Sequence, residues 1–206
     1  MNIQAKMLAA ASAVRRFLAE KGGVAAVEFA FIAPLMLAFY FLTMEFSQGI
    51  DTNKKVGRAA ILAGDLVAQS PVMTGDELDA IMKIGEAVLQ PYNRSKPEIT
   101  ITAIEITDED TPRALVAWSR RFADGVSSRA EKPGSRIDVP KELMSRDSFL
   151  IRAEADLTYS PVITWSGTSE TGKKALGLMA AFDNIPMGER YYLRPRVTRE
   201  ISCADC

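Results

Sequence analysis

The sequence contains no histidine. That absence removes Ser-His-Asp hydrolysis, HExxH zinc chemistry and every imidazole general base together. Cysteine is nearly as scarce, with only Cys203 and Cys206 present, so a four-ligand zinc site of the usual Cys/His kinds cannot be built within one chain. Charge of one sign is also missing. The 25 basic and 26 acidic residues nearly cancel, whereas nucleic-acid binders carry a basic face. No nucleic acid, metal, cofactor or small-molecule substrate is expected, and the chain does not read as an enzyme.

What is present is a long apolar run. Val24 to Phe46 is almost wholly apolar and follows Arg15, Arg16, Lys21 and the pair Gly22-Gly23. A helix of about 20 residues rising ~1.5 Å each crosses ~30 Å of hydrocarbon, so this run is long enough to span a bilayer. Two carboxylates, Glu28 and Glu45, sit near its ends. A carboxylate within such a run is costly and marks function by default. The basic residues before the run favour an N-inside, C-outside orientation. A cleaved secretory signal is the competing reading, but the run exceeds the ~7–15 residues of an h-region and lacks an A-x-A stop.

Helical character continues past the run through Ser47–Ser70, with Pro34 expected to kink the helix. Gly57, Ala60, Gly64 and Ala68 recur three or four apart on one side. Such a stripe lets another backbone approach closely; packing of an amphipathic helix on its own domain explains it as well. Ser70-Pro71 ends the pattern, and Thr74-Gly-Asp-Glu77 opens a second helix with capping-box spacing. Leu78, Ile81, Met82, Gly85, Val88 and Leu89 give that helix a core face, and Pro91 closes it.

After Pro97 the period becomes two. Ile99, Ile101 and Ala103 share one phase while Ile104 and Ile106 take the other, which suggests a bulge at Ala103-Ile104. Leu115–Phe122 is a second strand, and residues 125–137 read as a loop. Phe149 to Tyr159 alternates as a half-buried strand. Residues 161–171 read as a loop, Lys173–Phe182 as a short helix, and Tyr191–Ile201 as a last strand, with Pro195 at an edge or bulge. The order predicts an α+β fold, a second helix on an antiparallel sheet of about four strands. The expected organisation is a basic leader over 1–23, a span over 24–46 continuing as helix to about 69, and an α+β domain over 71–206.

Gly23-Val-Ala-Ala-Val-Glu28-Phe29 resembles the signature of type IV prepilins and pseudopilins: a Gly, four apolar residues, a Glu and an aromatic. More narrowly, residues 15–46, with Val27-Glu28-Phe29-Ala30, Pro34-Leu35 and the second acid-Phe pair Glu45-Phe46, resemble the TadE/TadG family of the tight-adherence (Flp, type IVb pilus) system. Tyr192-Leu193-Arg194-Pro195-Arg196 leading to the cysteine pair is similar to alphaproteobacterial members. The resemblance implies cutting between Gly23 and Val24 by a prepilin peptidase on the cytoplasmic face of a bacterial inner membrane. It implies assembly roles for Glu28 and Phe29, a periplasmic C-terminal domain, and partners among other pseudopilins, pilins and the Tad secretion platform. The implied function is a minor pilin or pseudopilin of TadE type in pilus assembly and adhesion. Val24 departs from the Phe or Met common at the first mature position elsewhere. The alternative from another class is an unprocessed single-pass anchor carrying a periplasmic binding or scaffold module.

Three further motifs carry less. Gly167 to Lys173 matches a phosphate-binding loop through its Lys, but Lys174 stands where a Ser or Thr would hold Mg²⁺, so a loop entering a helix is the plainer reading. Cys203-Ala-Asp-Cys206 outside the inner membrane favours an intrachain disulfide, with intermolecular bridging or free thiols as alternatives. Asp108, Glu109 and Asp110 read as a solvated turn, and Arg194, Arg196 and Arg199 as an edge kept from aggregating or a contact for an acidic partner.

Overall fold

The computed structural model describes residues 13–17, 22–161 and 184–206. The motif at 167–173, the helix at 173–182 and most of the leader lie outside them. The chain divides into two compact units between Phe46 and Ser47.

The first unit holds the start of helix α1 (Val24–Ala68). Pro34 lies inside α1 without ending it. Phe29, Phe31, Leu35, Leu37 and Tyr40 are each more than half exposed, and an 18-residue stretch of α1 with mean hydropathy 2.0 contains no buried residue. A soluble monomer rarely shows an apolar patch beyond ~300–600 Å², so this surface requires a partner of its own polarity.

The second unit opens with the remainder of α1. Thr52, Val56, Gly57, Ala59, Ala60, Ala63, Gly64, Val67 and Ala68 are buried, a stripe at the three-and-four spacing of one helix face. Helix α2 (Gly75–Val88) packs beside it. It begins with the capping box expected at Thr74: the Glu77 N–H donates to Thr74 Oγ1 (3.3 Å) and the Thr74 N–H to Glu77 Oε2 (2.9 Å). Leu78, Met82 and Leu89 face the core.

Both helices cover one face of a five-stranded antiparallel sheet ordered β4-β3-β2-β5-β6. Its strands are β2 (Glu98–Ile106), β3 (Ala114–Ala123), β4 (Val126–Ser128), β5 (Ser148–Tyr159) and β6 (Ile185–Leu193). A separate two-stranded parallel pair joins β1 (Val72–Met73) to β7 (Ser202–Cys203). Ile99, Ile101, Ala103, Trp118, Phe122, Ile151, Ala153 and Ala155 complete the main core.

Several expectations are sharpened or corrected. The sheet of about four strands has five, because Asp124 and Gly125 adopt positive φ (52° and 81°) and turn the chain back into β4. An Asp-Gly pair is a recognised two-residue hairpin turn, and it lay within the segment expected to be loop. The last strand of the five-stranded sheet is Ile185–Leu193, not Tyr191–Ile201. Pro186 and Gly188 argue against a central strand, but β6 ends the described sheet, where a proline is tolerated.

The phase change in β2 has a different cause from the one expected. The register does shift between Ala103 and Ile104, but only against β3, where Ala103 pairs with Trp118 and Ile104 with Val116. The extra residue is Ala117; pairing of β2 with β5 runs unbroken from Glu98 to Ile106. Ile104 and Ile106 are apolar because the second face is also covered. With Ala114 and Leu150 they form a second core under Ile137, Val139, Leu143 and Met144. For the same reason only the second half of β5 is half-buried: Phe149 to Ala153 are buried without alternation, whereas burial alternates from Ala153 to Tyr159.

Candidate functional site

The sequence-predicted processing segment lies at the start of α1. Gly23 is in a turn and α1 begins at Val24. The Val27 N–H donates to the Gly23 carbonyl at 3.1 Å, closing the first helical turn. A Cβ placed on Gly23 would meet nothing within 4 Å, so packing does not demand glycine there. Glu28 and Phe29 follow one turn later and both are exposed. The spacing of Val24 and Glu28 sets the carboxylate on the same helix face as the Val24 backbone, one turn on.

The small-residue stripe is placed differently. Gly57, Ala60, Gly64 and Ala68 are all buried within the second unit. A Cβ on Gly64 would stand 2.6 Å from Leu193 Cδ1 and 2.8 Å from Ala153 Cβ, and one on Gly57 would stand 3.0 Å from the Tyr191 hydroxyl. The stripe therefore brings α1 close to β5 and β6 of its own sheet.

Cys203 and Cys206 are joined in a disulfide with Cα atoms 5.7 Å apart. Asp205 lies near both sulfurs, but sulfurs bonded to one another cannot serve as thiolate ligands. The loop is held at several points. Trp118 Nε1 donates to the Ile201 carbonyl (2.7 Å), the Gly75 N–H at the start of α2 donates to Asp205 Oδ1 (2.9 Å), and Arg129 donates to the Cys206 carbonyl. An acidic side chain at a helix N-terminus is stabilising there.

Several other charged groups are engaged within the domain. Arg196 pairs with Asp65, and its N–H donates to the Ala68 carbonyl at the end of α1 (2.8 Å). Arg199 pairs with Asp147 (2.9 Å). Glu109 pairs with Arg113, and Arg146 reaches Asp108 and Asp110, so each acid of this surface turn has an arginine partner. Arg120 clamps Asp79 of α2 with two bonds of 2.7 and 2.8 Å; the hydrogen bond from Arg120 holds the Asp79 carboxyl below its usual value.

Two features escaped sequence reading because both depend on residues far apart in the chain. A pocket of about 260 Å³ is lined by Glu98, Arg121, Asp156 and Gly188, among others. Partial desolvation and then the nearby Glu154 and Glu98 push the Asp156 carboxyl above its usual value. Elsewhere Tyr92 and Tyr159 stack at 5.3 Å with Arg94 over both rings.

An exposed apolar helix long enough to cross a bilayer, leading into an α+β domain, is consistent with a single-pass membrane protein. Residues 23–63 match the family model described as TadE-like protein. That match begins at Gly23 and runs through the apolar segment into the buried stripe, and it supports a Tad pilus-related function in general. No curated protein and no solved structure matches the chain.

Proposed function

We propose that this chain is a TadE-type pseudopilin of the Flp (type IVb) pilus system. It inserts in the inner membrane with its N-terminus cytoplasmic and its domain periplasmic, is cut between Gly23 and Val24 by a prepilin peptidase, and takes part in pilus assembly and adhesion. It has no catalytic chemistry of its own. The observation that carries this reading is Gly23 followed by Glu28-Phe29 at the head of a fully exposed apolar helix, inside the segment that matches the TadE-like family.

The physical logic concerns the new helix end. Hydrolysis of the Gly23–Val24 bond leaves an α-ammonium on Val24. It also removes the Gly23 carbonyl that accepts from the Val27 N–H. The new end is an ammonium above unsatisfied N–H groups, a concentrated positive site at the edge of an apolar medium. Glu28, one turn on, can pair with that amine or with the amine of a neighbouring subunit. Two charges that are each costly in lipid become less so together. Because Gly57, Ala60, Gly64 and Ala68 are occupied by the chain's own sheet, packing between subunits falls to residues 24–46.

The test is the mature N-terminus and the pili of two variants. Mass spectrometry should find Val24 first in the native protein and an intact leader in Gly23→Leu. Glu28→Ala should be cut normally yet fail to support piliation. An intact leader in cells with an active prepilin peptidase would favour the unprocessed anchor instead.

A further inference from the structure

We infer that Arg94, mounted on the Tyr92–Tyr159 stack, is a headgroup contact through which the domain docks on anionic lipid. The inference rests on the membrane reading of residues 24–46 and extends it to a surface of the folded domain.

The placement follows from Gly49. The apolar run ends at Phe46, so Gly49 lies about 4.5 Å further along the helix, given ~1.5 Å per residue. Hydrocarbon gives way to a polar layer ~5–8 Å thick on each side of a bilayer. Gly49 therefore falls at headgroup level. The Tyr159 ring lies beside it, with Cε1 3.9 Å from where a Gly49 Cβ would stand. The Arg94 guanidinium sits 5.7 Å from the centre of that ring and 4.8 Å from that of Tyr92.

The mount is rigid. Tyr92 and Tyr159 are 8% and 1% exposed. The Tyr92 hydroxyl accepts from the Ser160 N–H at 2.9 Å, and Ser95 Oγ donates to the Thr158 carbonyl at 2.5 Å. Arg94 Nε donates to the Ser160 carbonyl at 2.6 Å. Arg94 itself is exposed, and no described carboxylate pairs with it, so the guanidinium edge carrying its two Nη groups remains for a ligand. A planar guanidinium fixed at one N–H and stacked on aromatic faces suits phosphate oxygens.

The surroundings agree in sign. Lys96, two residues past Arg94, is exposed, as are Lys54 and Arg58, which follow Gly49 along α1. Against them stand Glu45 and Asp51, and Asp51 is paired with Lys55 (2.8 Å), which also donates to the Gln90 carbonyl at the start of the Arg94 loop (3.1 Å). Each basic group near an anionic surface adds attraction, and aromatic-basic pairs are favoured at membrane interfaces.

The test places the full chain in lipid nanodiscs with a nitroxide on Asn93→Cys or, separately, Leu37→Cys, and compares collision with oxygen against a water-soluble nickel chelate. In discs containing phosphatidylglycerol the label at 93 should sit at headgroup depth. Arg94→Gln should lower the ratio of docked to undocked label about fivefold, the effect of losing one basic group at an anionic surface. Arg94→Lys should retain much of the docking, and Arg190→Gln should change nothing. A label at 93 that stays aqueous, or ignores Arg94→Gln, while the label at 37 is deep overturns the docking and leaves the span standing. An aqueous label at 37 overturns the span itself. Equal docking in discs of phosphatidylcholine alone, or displacement by inorganic phosphate, overturns the assignment to anionic lipid.

Discussion

Residues 24–46 and 52–68 belong to one helix, yet they solve opposite problems. The first segment sets Phe, Leu, Ile and Met among five alanines and has no buried residue. The second is made largely of Ala, Gly and Val along one side, and that side is buried. Large apolar residues all round suit an apolar solvent, where no neighbour need be fitted. Small residues on one side suit a sheet that must be approached closely, and Ala153 and Ala155 of β5 are small in return. Apolar content alone is a poor guide to which problem a helix segment solves. Side-chain volume and its distribution around the axis are better ones.

This contrast can be broken from either end. The largest expected effect is on insertion. Leu37→Arg should cost ~3 kcal/mol at the centre of a span, read as loss of the carbonate-resistant membrane fraction, while thermal unfolding of the domain in detergent stays unchanged. Next is Gly64→Leu, which forces side-chain bulk against Leu193 and Ala153 and should destabilise the domain by about 1–3 kcal/mol without altering insertion. Ala38→Leu, the same kind of enlargement in the exposed half, should leave the unfolding midpoint where it was. If Gly64→Leu were tolerated as well as Ala38→Leu, the two halves would not differ as described.

The smallest effect belongs to Asp156, which touches neither half and isolates the domain's own electrostatics. Its carboxyl is raised in the folded protein by partial desolvation, then by Glu154 and Glu98. The folded state therefore binds the proton more tightly than the unfolded state. Its contribution to stability is present below the ordinary value of 3.8 and is lost as pH rises through the folded value. Asp156→Asn should accordingly raise the unfolding midpoint at neutral pH. The advantage should vanish in acid below the ordinary carboxylate value, and insertion should be unaffected. A variant less stable than the parent at neutral pH would show that Asp156 makes a favourable bond instead.

Much of the local structure was legible because it depends on near neighbours in sequence. Thr74 and Glu77 announce a capping box at fixed spacing, and the structure contains both bonds. The alternation through Phe149 to Tyr159 announces a strand. The pattern from Gly23 to Phe29 was legible because it is a matter of spacing along the chain. The Asp124-Gly125 turn was also within reach, because the dipeptide carries its own backbone preference. Ile185–Leu193 was harder, since Pro186 and Gly188 make sense only once β6 stands at the end of the described sheet with Gly188 opposite Asp156. The Arg94 mount joins residues more than 60 positions apart, and no periodicity reports such a pairing.

By itself the sequence determined the apolar span, its Gly23 and Glu28 markers, the helical stripe at 57–68 and the α+β order of elements, because each follows from spacing along the chain. Only the tertiary structure decided what the stripe packs against. It also decided that the bulge at Ala103-Ile104 belongs to β3, that a second core lies behind the sheet, and that Asp205 reaches the start of α2. These depend on which distant segments meet, and that is settled by the packing of the whole domain at once.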